Sequence, residues 1–112
     1  MLWLDVEPCS GCWSSAAANM AYVNSLAVAA KAAGFNLGVY SSLYSWESVM
    51  GSQSANTPLL QALPLWYAHY DGHANFDDTT YYQFGGYTKP AMKEYVGNAA
   101  QCGLTIDKNW YP

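Results

Sequence analysis

The fold is decided by the stretch Leu2–Glu7, which has the sequence LWLDVE. Bulky apolar residues, with two acids entering only near the end, predict a short buried strand. Because side chains alternate across a strand, Trp3, Asp5 and Glu7 share one face. The Cα atoms of the two acids are then about 6–7 Å apart, which suits the paired carboxyl groups of glycoside hydrolysis. Active sites of parallel α/β sheets collect at this end of the strands, so the stretch predicts a cleft.

The residues that follow predict a strand–helix–strand unit. Ser14 or Ser15 is suited to cap a helix that runs to about Ala33, with Gly34 ending it. Leu37–Ser42 then predicts a second buried strand. Such a unit favours two parallel strands joined by a right-handed crossover.

The rest of the chain changes from α/β to β. A helix is predicted at Leu43–Met50 and a helical turn at Leu59–Ala62. Further strands are predicted at Leu63–Tyr70, Tyr81–Phe84, Met92–Val96 and Leu104–Ile106. Because no helix separates the last three strands, the predicted fold class is α/β, with two strand–helix units followed by a β-meander.

Length and composition restrict the function. The 112 residues make one domain and are too few for a complete eight-stranded α/β barrel. The basic residues are all Lys and the net charge is −4, so a nucleic-acid partner is not expected. No apolar run is long enough to span a membrane, and no cofactor is predicted. The ten Tyr and five Trp suit stacking on neutral sugars as well as a large core, and the oligomeric state stays open.

The cysteines allow two interpretations. Cys9 and Cys12 lie between a strand and a helix in the C-x-x-C spacing of thioredoxin-like redox proteins, where a helix N-terminus lowers a thiol pKa. The Trp that usually precedes that motif is absent, and no segment supplies its cis-proline. A structural disulfide that involves Cys102, or an inert local pair, is the alternative.

A second polar group alternates along the chain as metal ligands on one strand face would. It consists of His69, Asp71 and His73. Gly72 is expected to end the strand, so no metal is predicted and these side chains are expected at the mouth of a loop. Asp77–Asp78 is expected to be a solvated loop pair or a turn initiator.

Several aromatic residues near predicted strand ends are candidates for sugar contacts. They are Tyr40, Trp66, Tyr67, Tyr70 and Trp110. Packing in the core is the alternative for each of them, since large aromatic side chains dominate protein cores. Asp107 also follows a strand, although on its own it would be an ordinary turn residue.

Five segments together resemble the second half of a glycoside hydrolase family 25 lysozyme of the type found in protists and nematodes. They are Leu2–Glu7, Leu37–Ser42, Leu63–Tyr70, Lys89–Tyr95 and Ile106–Pro112. A D-x-E motif alone is common, but five segments in order at matching spacing are specific, and the resemblance covers essentially the whole chain.

The resemblance implies a muramidase that hydrolyses the β-1,4 bond after N-acetylmuramic acid in bacterial peptidoglycan. It implies a partial (β/α) barrel-like domain over residues 1–112, because the family fold is a modified TIM-type barrel whose last three strands lack full helices. It also implies a secreted or lysosomal protein. The chain itself shows no signal peptide, since no basic residues precede its first apolar residues and acids interrupt them.

By the same resemblance, Glu7 is the general acid/base, which requires that burial raise its pKa. Asp5 orients the acetamido group of the substrate or stabilises the developing oxocarbenium ion. Asp107 corresponds to the acid on the last strand of the family, and Tyr40 and Trp66 line the sugar groove.

The chain departs from the family pattern at its start. A further acid of the family lies on a first strand, in an N-terminal half that this sequence does not contain. Leu2–Glu7 and the last strand are therefore expected to form open sheet edges. Because catalysis depends on preorganised walls that exclude water, a non-catalytic carbohydrate-binding or vestigial protein on the same scaffold is the alternative function.

Overall fold

The computed structural model describes all 112 residues and contains one curled five-stranded sheet. The strands are β1 (Leu2–Asp5), β2 (Leu37–Ser41), β3 (Leu65–Ala68), β4 (Met92–Gln101) and β5 (Leu104–Trp110). They lie in chain order, with β1 to β4 parallel and β5 antiparallel to β4. The sheet is a half-barrel whose two edge strands are β1 and β5.

Three helices lie among the strands, and each begins at a side-chain cap. They are α1 (Ala16–Ala32), α2 (Leu43–Met50) and α3 (Pro58–Gln61). Ser15, Ser42 and Thr57 precede them, and each side-chain oxygen accepts a backbone N–H from the first turn of its helix. A membrane crossing requires a longer apolar helix than any of these three.

The core lies between the helices and one face of the sheet. Leu4 and Val6 project from the first strand segment into it, and Val39 and Leu65 continue it across β2 and β3. Trp46 of α2 is fully buried there, and its indole Nε1 donates to the Ala55 carbonyl at 2.8 Å. The apolar half of the strand pattern therefore faces the helices, and the other half faces away from them.

The structure confirms the predicted α/β fold class and the incomplete barrel. The predicted helix from Ser14 or Ser15 and the helix at Leu43–Met50 are both present. β4 pairs directly with β3 in parallel, so the antiparallel part is the β4–β5 hairpin alone.

The strand predicted at Tyr81–Phe84 is wrong. Two 3-10 turns occupy this region, at Thr79–Tyr81 and Phe84–Gly86. Tyr82 packs on Tyr67 with ring centroids 5.4 Å apart. Phe84, for its part, packs on Trp46 at 5.6 Å. The alternating aromatic residues are therefore buried by a turn that folds back onto the core, an arrangement that their period of two cannot distinguish from a strand.

A buried charge cluster fastens the segment after β3 to β4. The Lys93 side chain is fully buried, and its Nζ lies 2.8 Å from Asp71 Oδ2 and 3.0 Å from Asp78 Oδ2. Burial alone would raise the pKa of Asp78, but hydrogen bonds from Tyr67, His69 and Lys93 outweigh it and hold that pKa below its ordinary value. The pKa of Asp71 is lowered in the same way, because its hydrogen bond with Lys93 outweighs the effect of burial.

The cluster also revises two expectations for this segment. Asp78 is a partner of a buried lysine rather than a solvated loop residue. His69 and Asp71 do come together, but with Asp78 and not with His73 as the third member. The contact of His73 with the group is its backbone N–H, which donates to Asp71 Oδ1. The Lys93 ammonium is the cation that neutralises these carboxylates.

Replacing Lys93 with Met should destabilise the fold by about 3–5 kcal/mol, because two carboxylates are left facing each other without their cation. Urea unfolding measures this loss. Lys89→Met, at an exposed lysine, is the control and should change stability by less than about 0.5 kcal/mol. The native chain should lose stability as pH falls from about 3.9 through the lower folded pKa values of Asp71 and Asp78. A similar urea midpoint for both variants would contradict this role of Lys93.

Candidate active site

The face of the sheet that turns away from the helices carries an acidic cavity of about 470 Å³. It is lined by Trp3, Asp5, Glu7, Tyr40, Trp66, Tyr70, Glu94, Asn98 and Asp107. We call it the acid cavity. The sequence-predicted residues Glu7, Asp5, Asp107, Tyr40, Trp66 and Tyr70 all lie in it. Strand alternation explains the grouping, because those of these residues that lie on strands point to the face of the sheet away from the core.

The structure places two of the candidates elsewhere. Tyr67 is fully buried in the core, and Trp110 also lies outside the acid cavity. It lies one position after Asn109 on β5 and therefore points to the opposite face. Its ring packs edge-on against Phe76, with centroids 4.7 Å apart. Trp110 thus belongs to the packing of the segment after β3, outside the acid cavity.

Glu7 lies just beyond β1, and its backbone is held on both sides. The Val6 N–H donates to the Tyr40 carbonyl at 2.9 Å, which continues the pairing with β2. The Ser41 hydroxyl donates to the Val6 carbonyl at 2.7 Å, and the Trp13 indole Nε1 donates to the Glu7 carbonyl at 2.6 Å. Trp13 and Ser41 therefore position Glu7, although the sequence pattern did not single out either residue.

The electrostatic surroundings of Glu7 favour its protonated form. Partial burial, a hydrogen bond with the Asp5 carboxyl group and the negative charges of Asp5 and Glu94 together raise the pKa of Glu7 to about 7. Asp5 and Glu7 are thus close enough to share a proton. An acid with this pKa is present in both its protonated and its ionised form near neutral pH, as a general acid/base must be.

Glu94 is an acid of the cavity lining that sequence reasoning missed. It is 5% exposed, and the Tyr70 hydroxyl donates to its Oε1 at 2.5 Å. This bond raises the pKa of Tyr70 to about 12, while burial and the Glu94 charge also raise the pKa of Tyr40. The sequence signal that could have identified Glu94 is its position beside Lys93. Two neighbouring charged residues on a buried strand point to opposite faces of the sheet, so each face must supply a polar partner.

Three aromatic rings floor the acid cavity. Tyr40 and Trp66 have centroids 4.6 Å apart, and Trp3 meets Trp66 at 5.5 Å. Trp66 is fixed by its indole Nε1, which donates to Asn109 Oδ1 at 2.8 Å. Gly38 makes room for Trp3, since a Cβ at this position would lie 2.2 Å from the Trp3 ring. Oriented rings beside carboxyl groups suit the apolar face and the hydroxyl groups of a sugar.

The cysteines do not form a redox site of the thioredoxin type. Cys9 and Cys12 are joined in a disulfide, and Cys102 is free and exposed. The N-cap of α1 is Ser15, so the helix begins beyond the disulfide loop, and Cys12 is not at the helix N-terminus that would activate it. The local pair closes the turn that carries Trp13 towards Glu7.

Comparison with known proteins identifies the family. A family model described as lysozyme-like protein 1 matches residues 1–95. The chain belongs to this lysozyme-like family. No solved structure matches it.

Relatives in Dictyostelium discoideum agree with this assignment. The chain is 47% identical to counting factor 50 over 99% of its own length and 35% of that protein. It is 46% identical to probable GH family 25 lysozyme 3, over 99% of the chain and 22% of the relative. It is also 41% identical to probable GH family 25 lysozyme 2, over the whole chain and 50% of the relative. This lysozyme-like chain therefore spans half or less of the length of these relatives.

Replacing Glu94 with Gln should lower the pKa of Glu7 below about 7, because one of the negative charges that oppose its ionisation is removed. A ¹³C NMR titration of the side-chain carboxyl groups measures the change directly. Tyr70→Phe is the matched control: it removes the hydrogen bond to Glu94 but leaves the charge, so the pKa of Glu7 should stay raised. An unchanged Glu7 titration in Glu94→Gln would contradict the electrostatic role of Glu94.

Proposed function

We propose that this lysozyme-like chain provides the acid-bearing part of a glycoside hydrolase that cleaves the β-1,4 bond between N-acetylmuramic acid and N-acetylglucosamine in bacterial peptidoglycan. The observation that carries the proposal is the raised pKa of Glu7, beside Asp5, in a cavity floored by aromatic rings. Family membership agrees with a glycosidase. A secreted or lysosomal location would bring such a protein to bacterial walls.

The proposed reaction begins with Glu7 in its protonated form. Glu7 donates its proton to the glycosidic oxygen as the bond from that oxygen to the sugar C1 breaks. Positive charge then develops at C1, and the Asp5 carboxylate stabilises it directly or through the acetamido group of the substrate. Water adds to C1, and the Glu7 carboxylate takes up the proton that the water releases. Asp107 and Glu94 add negative potential on the same side.

The aromatic floor supports the proposal by giving the substrate a fixed plane. Trp3, Tyr40 and Trp66 lie beside the acids on the same face of the sheet. A sugar ring that stacks on them is held at the height of Glu7 and Asp5, and such positioning supplies a large part of enzymatic rate enhancement. Trp13 and Ser41 keep the backbone on either side of Glu7 from shifting.

A non-catalytic carbohydrate-binding role is the second candidate. The observation that favours it is that the aromatic floor is fixed by Asn109 and Gly38, without any help from Asp5 or Glu7. Sugar binding would then persist where the acids are too exposed to catalyse, since both residues are exposed at the open edge of the sheet. In this case the chain would bind wall fragments without turnover.

Replacing Glu7 with Gln should lower the rate of clearance of a bacterial wall suspension by about 100-fold to 10,000-fold, the usual contribution of a general acid. Turbidity measures clearance, and Glu47→Gln, at an exposed acid of α2, is the control that should clear at the native rate. Equal clearance by native chain and Glu7→Gln would refute the role of Glu7. Wall binding by both without any clearance would instead establish the second candidate.

Clearance should fall as pH rises through about 7, because the Glu7 proton that the leaving oxygen needs is then lost. Initial rates measured from about pH 5 to about pH 9, roughly two pH units on either side of the Glu7 pKa, define this falling part of the pH–rate profile. Glu94→Gln should move the limb to lower pH, in step with the lowered pKa of Glu7. A rate that stays level above pH 8 in the native chain would show that another group donates the proton.

A further inference from the structure

Trp13 is the only residue of the loop between β1 and α1 (residues 8–14) that is not exposed. It packs against the core, and its ring meets the exposed Tyr22 ring with centroids 6.4 Å apart. Its indole Nε1 donates to the Glu7 carbonyl at 2.6 Å. The backbone of Glu7 is therefore held in part by a side chain that an exposed loop has to bring back to it.

A disulfide occupies most of the path by which the loop returns from Glu7 to Trp13. Five residues separate these two, and four of them, from Cys9 to Cys12, lie within the ring that the disulfide closes. The two cysteine Cα atoms are 5.5 Å apart, and the Cys12 N–H donates to the Cys9 carbonyl at 3.4 Å. No hydrogen bond joins residues 8–12 to the rest of the fold. The disulfide is therefore the constraint that fixes the course of the loop before Trp13.

Both cysteines of this disulfide are exposed, so a reductant can reach them from solvent. One thiolate of a dithiol attacks a sulfur of the bridge and forms a mixed disulfide, which the second thiol of the reductant resolves. Two electrons pass to the bridge, which ends as the Cys9 and Cys12 thiols, while the reductant ends as a disulfide. The protons of the two new thiols replace those that the reductant gives up. The bridge is here the target of thiol exchange and not its catalyst.

We propose that the Cys9–Cys12 disulfide is a redox switch, which a dithiol opens and which controls the position of Glu7 through Trp13. Reduction opens the ring, and residues 9–12 regain the conformational freedom that the bridge removes. The Trp13 indole then spends part of its time away from the Glu7 carbonyl, and the Glu7 carboxyl group loses its fixed position. The proposal rests on the function proposed above, because only a catalytic Glu7 turns this displacement into a slower reaction. Trp13 is a positioning residue in this scheme.

The Trp13 indole signal in a ¹H–¹⁵N spectrum tests the switch without requiring turnover, and Trp13→Phe identifies this signal by its disappearance. Dithiothreitol should move the Nε1–H proton signal upfield as its hydrogen bond is lost, while the amides of β5, at the opposite edge of the sheet, should stay in place. The double variant Cys9→Ser, Cys12→Ser should show the reduced signal without dithiothreitol. Cys102→Ser is the matched control and should respond like the native chain, because Cys102 is outside the bridge.

An unchanged Trp13 signal on reduction, or shifts throughout β5 that mark general unfolding, would overturn the switch. In the clearance assay, dithiothreitol should slow the native chain by about tenfold, a smaller loss than Glu7→Gln produces. Trp13→Phe should be slow from the start and should respond to dithiothreitol by less than about twofold, because the indole N–H is already gone. Equal rates for the oxidised and reduced native chain would also overturn the switch. A native chain that clears no walls counts against hydrolysis only, and the indole signal then decides the switch by itself.

Discussion

The burial of the Lys93 ammonium between two carboxylates is the interaction on which the rest of the structure depends. A buried charge is stable only when it is paired and hydrogen-bonded, so Lys93 holds Asp71 and Asp78 to β4. These two residues delimit the irregular segment after β3. The same cluster fixes His69, and through it the stacked Tyr81 ring. The Lys93 ammonium therefore fixes the loop after β3 and, through His69, the position of the Tyr81 ring.

Because side chains alternate along β4, the two faces of this strand have opposite electrostatic environments. Lys93 and Glu94 are neighbours on β4, but they point to opposite faces of the sheet. On the helix side, a lysine compensates the acids and lowers their pKa values. On the other side, partial burial and acids that face one another without a cation raise the pKa of Glu7. The separation of the two faces thus places an ionised cluster on one side of β4 and the acid cavity on the other.

The sequence contains the information for the first half of the fold because that half is local. Caps, helix formers and apolar runs specify α1, β2 and α2 within a few residues, and the two acids of Leu2–Glu7 could be assigned to one face by alternation alone. Glu94 and Asp78 could not be identified in this way. Each resembles an ordinary surface acid until the pairing of β3 with β4 buries Glu94 and places Lys93 beside Asp78. The strand prediction at Tyr81–Phe84 was wrong for the same reason, because Tyr82 and Phe84 are buried against rings that are distant in sequence.

The position of β1 at the edge of the sheet has a consequence for its own backbone. Leu2 and Val6 donate their N–H groups to Asn36 and Tyr40 of the neighbouring segment, so the intervening Trp3 and Asp5 amides point outward from the sheet. Protection from solvent exchange therefore alternates residue by residue along this strand. Trp3 and Asp5, whose side chains line the acid cavity, are therefore the residues of β1 whose N–H groups have no partner within the sheet.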